Sequence, residues 1–421
     1  MEDNWSIDFA KKGKVNFIMD GSFGSSGKGK LAYYIYKRLE QQNRENILSC
    51  AVSTTNAGHS VVDQDKKYFF QQLTAQAPCK HRKIFLGSGS VIDLEIIKKE
   101  IVEFNLLEDE LYISETAAMI SNEDIENEKK NNLKIGSTLH GCGAARISKI
   151  SRQSDDILAR KCSDPLFRKY LSKTVRDQIL DNTLQKSYTG ICEISQGFSL
   201  GIDEPYHPHC TSRNCSVQQS LDGLGIPPIC VGNVLINFRT YPIRVHSHKY
   251  FDSMGKCLTS DQVKSMPNND VIRIEGYSGD FYPDSEETSW DELNLRDPNT
   301  GERIVEQTSV TKLVRRVATF SPQNMLDAIK FNLPPEGYKV FLSINFMNYI
   351  DSAFYGVSTK QEFIQALKSS EKSSEWIKNN ILTPIQNFSY RRWISSSIIF
   401  GTGADDAHLV SVSLQDLEQI T

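Results

Sequence analysis

Short apolar, β-branched runs alternate along the chain with longer stretches whose apolar positions recur every three to four residues. The runs at residues 15–19, 47–52, 84–86, 111–114, 190–194, 234–238 and 338–344 are brief and nearly continuous, as strands buried on both faces are. Between them, residues 30–41 set Leu31, Ile35, Tyr36 and Leu39 on one stripe, and residues 93–104 set Leu94, Ile97 and Ile101 on another, each the apolar face of a helix. Ser321 followed by Pro322 predicts an N-cap with proline at the first helical position, opening a helix over residues 323–332. Further helical patterns occupy residues 360–370 and 375–385, before the turn-rich stretch FGTGADD. This alternation predicts an α/β fold with a central, mainly parallel sheet flanked by helices. Two polar stretches, residues 122–133 and 277–299, show neither period and read as mobile surface loops or insertions. No linker or repeat interrupts the pattern, which predicts a single large domain over residues 15–421 after an N-terminal extension, residues 1–14.

Composition narrows the function classes. The 421 residues are 39% hydrophobic and 24% charged with a net charge of −4, which argues against a nucleic-acid binder relying on bulk positive charge. No apolar run approaches the length of a membrane span, and the N-terminus lacks a secretory h-region, so the expected location is cytoplasmic. Nine cysteines are scattered without CxxC pairs, the usage of reduced thiols. His207, His209, Cys210 and Cys215 lie close together, but at a spacing that matches no common structural zinc pattern.

The candidate chemistry starts at DGSFGSSGKGK, Asp20 to Lys30, directly after the first apolar run. A strand, then Gly21, Gly24, Gly27 and Gly29, then a helix, is an arrangement that aims backbone N–H groups at an anion, with Lys28 adding a point charge. It is not a Walker A loop, because Ser22 and Gly29 stand where that motif needs glycine and a hydroxyl residue. Alone, the stretch also fits a glycine-rich turn that merely lets strand and helix pack closely. Three weaker constellations follow: Thr54 to His59, then Ile135 to Thr138 with Arg152 downstream, and Glu193 to Gly197 leading to Cys210–Asn214. Gln196 offers both an amide donor and an acceptor, suited to a base edge.

In order and spacing these stretches resemble the adenylosuccinate synthetase family. Its GDEGKGK pattern is matched by Gly24-Ser25-Ser26-Gly27-Lys28-Gly29-Lys30, and NNAGHT by Thr55-Asn56-Ala57-Gly58-His59-Ser60. IGTT with a downstream arginine is matched by Ile135–Thr138 and Arg152. EGAQG with YPYVTSSN is matched by Glu193–Gly197 and His207–Asn214, and GLGIPP by Gly223–Pro228. The resemblance covers roughly residues 15–351 and implies a P-loop-NTPase-like fold. It implies a carbon–nitrogen ligase that phosphorylates a purine O6 and lets the aspartate amine displace the phosphate. Lys28 with Gly24, Ser26, Gly27, Gly29 and Lys30 would hold donor phosphates, and His59 would act on the transferred phosphoryl or leaving oxygen. Asn56, Gly58, Ser137, Thr138 and Thr211 would bind nucleotide, with Arg152 supplied across a homodimer interface. Gln196 would face the purine, Thr311 and Arg315 would bind L-aspartate, and Asp20 with Gly58 would hold Mg²⁺.

Three departures refine the expectation. The family's catalytic aspartate is Ser25 here, which leaves space for a purine 2-amino group. A family arginine beside the ribose aligns with Leu313, which suits a deoxyribose. The guanine-reading TKxD element is absent near residues 342–348, which favours ATP or dATP as donor over GTP. Together they resemble a bacteriophage branch of the family that joins aspartate to dGMP, giving N6-succino-2-amino-2′-deoxyadenylate, a precursor of 2-aminoadenine in DNA. An IMP- and GTP-using adenylosuccinate synthetase and a catalytically inactive nucleotide-binding regulator remain as alternatives. Asp20 either replaces the missing base, through a water, or only caps the loop amides.

Overall fold

The computed structural model describes residues 5–44, 46–63, 66–132, 135, 137–245, 249–251, 257–258, 273–275, 277–307, 314–403 and 408–421. The apolar runs become the strands of one sheet. In chain order these are β1 (Val15–Asp20), β2 (Ile47–Ala51), β3 (Ile84–Leu86), β4 (Leu111–Ser114), β5 (Leu171–Ser172), β6 (Thr189–Gly197), β7 (Val231–Arg239), β8 (Val340–Asn345), β9 (Ile394–Gly401) and β10 (Leu409–Ser413). Among the described residues they form a ten-stranded sheet in the order β10-β9-β8-β7-β1-β6-β2-β3-β4-β5. Every neighbouring pair is parallel except β9 with β10. Chain order therefore reverses around β1, and in open α/β sheets ligands bind outside the carboxyl ends of strands at such a point.

Alternate residues of β1 feed two core layers. Phe17 and Met19 pack with Ile194, Ile236 and Phe238 on one face, while Ile18 meets Leu31 and Ile35 of the following helix on the other. Each fully buried side chain of this size contributes about 1.5–3 kcal/mol. The helices used below are α1 (Trp5–Phe9), α2 (Lys28–Gln41), α3 (Leu94–Glu103), α4 (Asn122–Asn131), α5 (Cys142–Ser151) and α6 (Pro322–Lys330). Asp93 caps α3 and Ser321 caps α6, with Pro322 at its first position. Part of the N-terminal extension is docked: Trp5 and Phe9 are buried, and Asn233 donates to the Asp8 and Phe9 carbonyls at 3.0 and 2.9 Å.

Several sequence expectations need correction. Residues 122–131 form α4, not a loop, opened by a capping box in which Ser121 and Asp124 bond each other's backbone N–H. Residues 277–299 are not a free loop either, since Phe281, Tyr282 and Trp290 are buried and a short helix, Trp290–Leu293, carries its own capping box. The helix expected over 375–385 starts earlier, at Glu371, and passes through a π turn, Lys378–Leu382. Strands β6 and β7 run beyond their apolar stretches, to Gly197 and Arg239. The polar residues Ser195, Asn237 and Arg239 end these strands yet are buried, because their hydrogen-bond partners come from loops at the same edge.

Candidate active site at the carboxyl edge of the sheet

Residues 21–27 carry the chain from β1 into α2, and Asp20 organises them from inside. Its Oδ1 accepts the Ser22 N–H at 2.7 Å and the Gly24 N–H at 3.2 Å, and Oδ2 accepts the Ser26 N–H at 3.1 Å. Asp20 is only 1% exposed. Burial pushes its carboxyl above the ordinary aspartate range, against the hydrogen bonds from Ser26, Ser22 and Gly24. Asn237 of β7 donates to the Ser26 carbonyl and hydroxyl oxygens at 2.8 and 2.9 Å, and Asn345 of β8 reaches the same carbonyl at 3.0 Å. The Ser26 hydroxyl is thus turned into the loop's supports. Gly27 has φ 88°, and a Cβ there would lie 2.4 Å from Asn345 Nδ2, so the turn into α2 requires glycine. No side chain caps α2, which leaves its first N–H groups for an anion.

Lys28 is buried with its Nζ unpartnered. Burial lowers its pKa, opposed by the charges of Glu193 and Asp20. Glu193 is raised by burial and drawn down by Lys28; its Oε1 accepts the Tyr36 hydroxyl at 3.0 Å and the Ala75 N–H at 2.8 Å. A buried ammonium without a hydrogen-bonded counterion is costly, and a bound phosphate would relieve it. His59 stands beside α2. A Cβ on Gly29 would come within 2.9 Å of His59 Cβ and Nδ1, so glycine there is what lets the imidazole reach the helix start. Burial, followed by the Lys28 charge, holds His59 well below the ordinary histidine range, which leaves it neutral at pH 7.

A cavity of about 1390 Å³ opens above this edge and gathers most of the expected residues. Asp20, Gly24, Ser25, Ser26, Gly27, Lys28, Gly29, Lys30, Asn56, Gly58, His59, Ser137, Thr138, Gln196, Thr211 and Arg315 all line it. Asn56 Nδ2 donates to Thr211 Oγ1 at 3.3 Å, which joins two of the stretches expected to bind nucleotide. Gln196 has φ 67° and an Nε2 that is buried without a partner, an orphan donor facing a cavity. Lys30 Nζ donates to the Gly403 carbonyl at 2.7 Å, so it also ties the loop to the turn after β9. Arg315 and Arg316 part ways. Arg316 bonds Glu287 and the Gly279 carbonyl, whereas Arg315 lines the cavity with its Nε on the Gln307 carbonyl at 3.3 Å. Burial lowers Arg315, and Glu306 opposes that. Arg152 is exposed at the end of α5 and does not line the cavity. Thr311 and Leu313 lie outside the described residues.

The structure adds residues that the sequence reading missed. Glu128 of α4 lines the cavity, and its carboxylate accepts the Gly141 N–H at 2.9 Å and the Gly143 N–H at 2.6 Å. It thereby fixes the start of α5 after the Ser137–Thr138 turn. The pattern Ser121-x-x-Asp124 was the available signal. Arg239, with 0% exposure, donates to the Ser25 carbonyl at 2.9 Å and pairs with Glu306. No local pattern marks that link.

Comparison with known proteins places the chain in a family. The family model described as adenylosuccinate synthetase matches residues 17–178. The chain is 30% identical to the N6-succino-2-amino-2′-deoxyadenylate synthase of Salmonella phage PMBT28, over 80% of this chain and 86% of that protein. It is also 30% identical to the enzyme of the same name from Acinetobacter phage SH-Ab 15497, over 80% and 85%. Among solved structures, the cyanophage S-2L succinoaminodeoxyadenylate synthetase (PurZ), bound to dGMP and to dATP as an energy donor, aligns with a TM-score of 0.70 at 25% identity, over 97% of this chain and 98% of that one. With Lys28, His59 and Gln196 on one cavity, and relatives at 30% identity matched over most of their length, the chain belongs to the adenylosuccinate synthetase family of ligases.

Proposed function

We propose that this ligase joins L-aspartate to dGMP at purine C6, with ATP or dATP hydrolysed to the diphosphate and phosphate. The observation that carries the reading is Ser25, a short neutral side chain in the cavity wall where the family has an aspartate. In the first step the donor's γ-phosphoryl group passes to O6 as the N1 proton leaves. In the second, the aspartate nitrogen bonds to C6 and the O6–phosphate leaves. The product is N6-succino-2-amino-2′-deoxyadenylate. Most of the acceleration in such transfers comes from positioning and charge stabilisation.

The amides at the start of α2 and Lys28 hold the transferring phosphoryl group. His59, neutral at rest, donates a hydrogen bond to that group and protonates the leaving oxygen once bound phosphate raises its pKa. Gln196 orients the purine edge, and Asn56, Ser137, Thr138 and Thr211 seat the nucleotide. Arg315 takes an aspartate carboxylate as a guanidinium fork, with Thr311 beside it in sequence terms. Asp20 lines the cavity and takes the N1 proton through a relaying water, its oxygens otherwise engaged by three loop amides and the Ser26 hydroxyl. The carboxylate, with the Gly58 carbonyl, would hold Mg²⁺, which commonly binds through one carboxylate plus phosphates and waters. When bound, the ion would neutralise donor-phosphate charge.

Exposed Ile147 and Ile150 lie on α5 just before Arg152, which supports a homodimer that delivers the partner's Arg152 to the cavity. Among the described residues no helix is long and apolar enough to cross a membrane. The phage origin of the relatives points to the host cytoplasm as the place of reaction. The decisive assay offers the purified protein dGMP, GMP and IMP with aspartate and ATP, dATP or GTP. Phosphate release with dGMP and an adenine donor is expected. Release only with IMP, or tight binding without release, would replace this reading.

A further inference from the structure

Beside the cavity, at the start of α5 and behind Thr211, lies a pair of arginines of which Arg146 lines the wall. Thr55 Oγ1 lies 3.1 Å from Cys142 Sγ, and Asn56 Nδ2 lies 3.3 Å from Thr211 Oγ1. Residues 55–56 therefore strap the start of α5 to the stretch at Thr211. Each strapped segment carries an arginine close behind the contact. Arg146, one helical turn after Cys142, lines the cavity, and its Nε is buried without a hydrogen-bond partner. Arg213, two residues after Thr211, is 3% exposed, and its Nε and Nη1 are both buried without partners.

What surrounds these guanidinium groups is nearly all neutral. Burial depresses Arg213 most, the Arg146 charge depresses it further, and the opposing influences are the thiols Cys215, Cys142 and Cys192. Arg146 faces Cys142 and Cys215, with Asp222 a lesser influence. No ion pair to either arginine occurs among the described residues. Desolvated guanidinium groups without an anion are unfavourable unless something negative completes them. Their planar N–H forks suit the oxygens of a phosphate monoester.

We propose that Arg146 and Arg213 form a dianion seat that takes the 5′-phosphate of the purine mononucleotide from within the same chain. The proposal rests on the ligase reading above and adds two residues to it. The seat explains why two cations are buried beside Asn56 and Thr211, with Arg213 still within electrostatic reach of Lys28. Arg146 is the direct ligand from the cavity wall, and Arg213 supplies the second charge from behind Thr211 and Ser212.

The test compares nucleotide with nucleoside. Competition binding is measured for dGMP and for deoxyguanosine on wild type, Arg146→Gln, Arg213→Gln and Arg213→Lys, alongside KM for donor and for aspartate. Loss of a charge-assisted contact should weaken dGMP about 10- to 100-fold in each glutamine variant, with partial rescue by Arg213→Lys. Deoxyguanosine affinity and the KM for aspartate should stay within about twofold in every variant, and the KM for donor should do so in Arg146→Gln. Equal losses for nucleotide and nucleoside, or no loss for either dGMP or IMP, would overturn the seat. Because Arg213 is wholly buried, Arg146→Gln, on a half-buried side chain, carries the test if the Arg213 variants fail to fold. IMP and inosine are run in parallel: an effect appearing only with that pair keeps the seat and discards the dGMP preference.

Discussion

Arg239 Nη1 donates to the carbonyl oxygen of Ser25 across 2.9 Å, so the residue that departs from the family's acid is held by a fully buried cation. The guanidinium also pairs with Glu306, whose Oε1 accepts the Tyr349 hydroxyl at 3.0 Å, and it packs over the Phe346 ring at 4.3 Å. The Glu306 carbonyl accepts the Arg315 N–H at 2.9 Å. One network thus runs from the phosphate loop to the segment that carries Arg315. Arg239 is fully buried while the Glu306 side chain stays 22% exposed, so removing the guanidinium strands a partly solvated carboxylate, at a typical cost of about 1–3 kcal/mol. Arg239→Met should lose stability of that order in urea unfolding and should lower kcat as residue 25 loses its anchor. Unchanged stability would show that Glu306 finds water or another donor instead.

Asp20→Asn separates two roles of one carboxylate. Asparagine keeps a single acceptor oxygen and turns an NH₂ group toward loop amides that are themselves donors. If Asp20 handles the N1 proton, turnover should fall at least about 100-fold while dGMP affinity is retained. If it only holds the loop, donor KM should rise along with the loss of kcat, since the amides proposed to cradle phosphate lose their order. Steady-state kinetics at varied donor, with dGMP binding measured separately, distinguishes the two. Near-normal turnover would remove Asp20 from the chemistry.

The strands were legible because burial on both faces writes continuous apolar runs, and the ten-stranded sheet uses all seven of the expected ones. Their ends were not, because Asn237 and Arg239 are polar residues whose partners lie far away in sequence, and Gln196 is a polar residue that lines the cavity. Helix α4 was lost for a related reason. Its residues, NEDIENEKKN, lack an apolar stripe, and what it buries is Asp124 and Glu128, carboxylates used to bond backbone. The site was readable where a motif is contiguous, as from Gly24 to Lys30. It was unreadable where a single residue reaches the loop only in three dimensions, as Arg239 does at Ser25.

Ser25 has φ 58°, a left-handed conformation that aspartate tolerates better than most residues do. Ser25→Asp should therefore fold normally and restore the family's acid to the cavity wall. The added carboxylate would occupy the space proposed for the 2-amino group. We expect kcat/KM for dGMP to fall at least about tenfold, a cost near 1.4 kcal/mol, with IMP less affected. Parallel assays on the two nucleotides give the ratio. An unchanged dGMP/IMP ratio would show that purine choice is set elsewhere.

Glu100 of α3 gives a stability signal separate from catalysis. It is 3% exposed, and its carboxylate accepts the N–H groups of Gln71, Gln72 and Leu73. Burial still dominates and pushes its pKa up to about 7. The folded state then holds the proton more tightly than the unfolded state. This contribution is fully present below the unfolded pKa near 4.5 and is lost as pH rises through about 7. Glu100→Gln should flatten that part of the stability curve between pH 4.5 and 7 in urea unfolding, and an unflattened curve would assign the slope to other groups.

His59 moves in the opposite direction, and its sign ties resting chemistry to ligand binding. Burial and Lys28 hold the imidazole well below 6.5 in the folded chain, so the unfolded chain binds the proton more readily. Its contribution to stability is intact above pH 6.5 and is lost as pH falls below that value. A bound donor reverses the local field, because phosphate oxygens at the start of α2 favour the imidazolium. An NMR titration, with His59→Asn to assign the resonance, should find a midpoint below 6.5 in the free protein. Adding dATP and dGMP should move it upward, toward the pH range where the group can give its proton to a leaving oxygen. A free-state midpoint at or above 6.5, or one that ignores the nucleotides, would leave His59 as a neutral hydrogen-bond donor only.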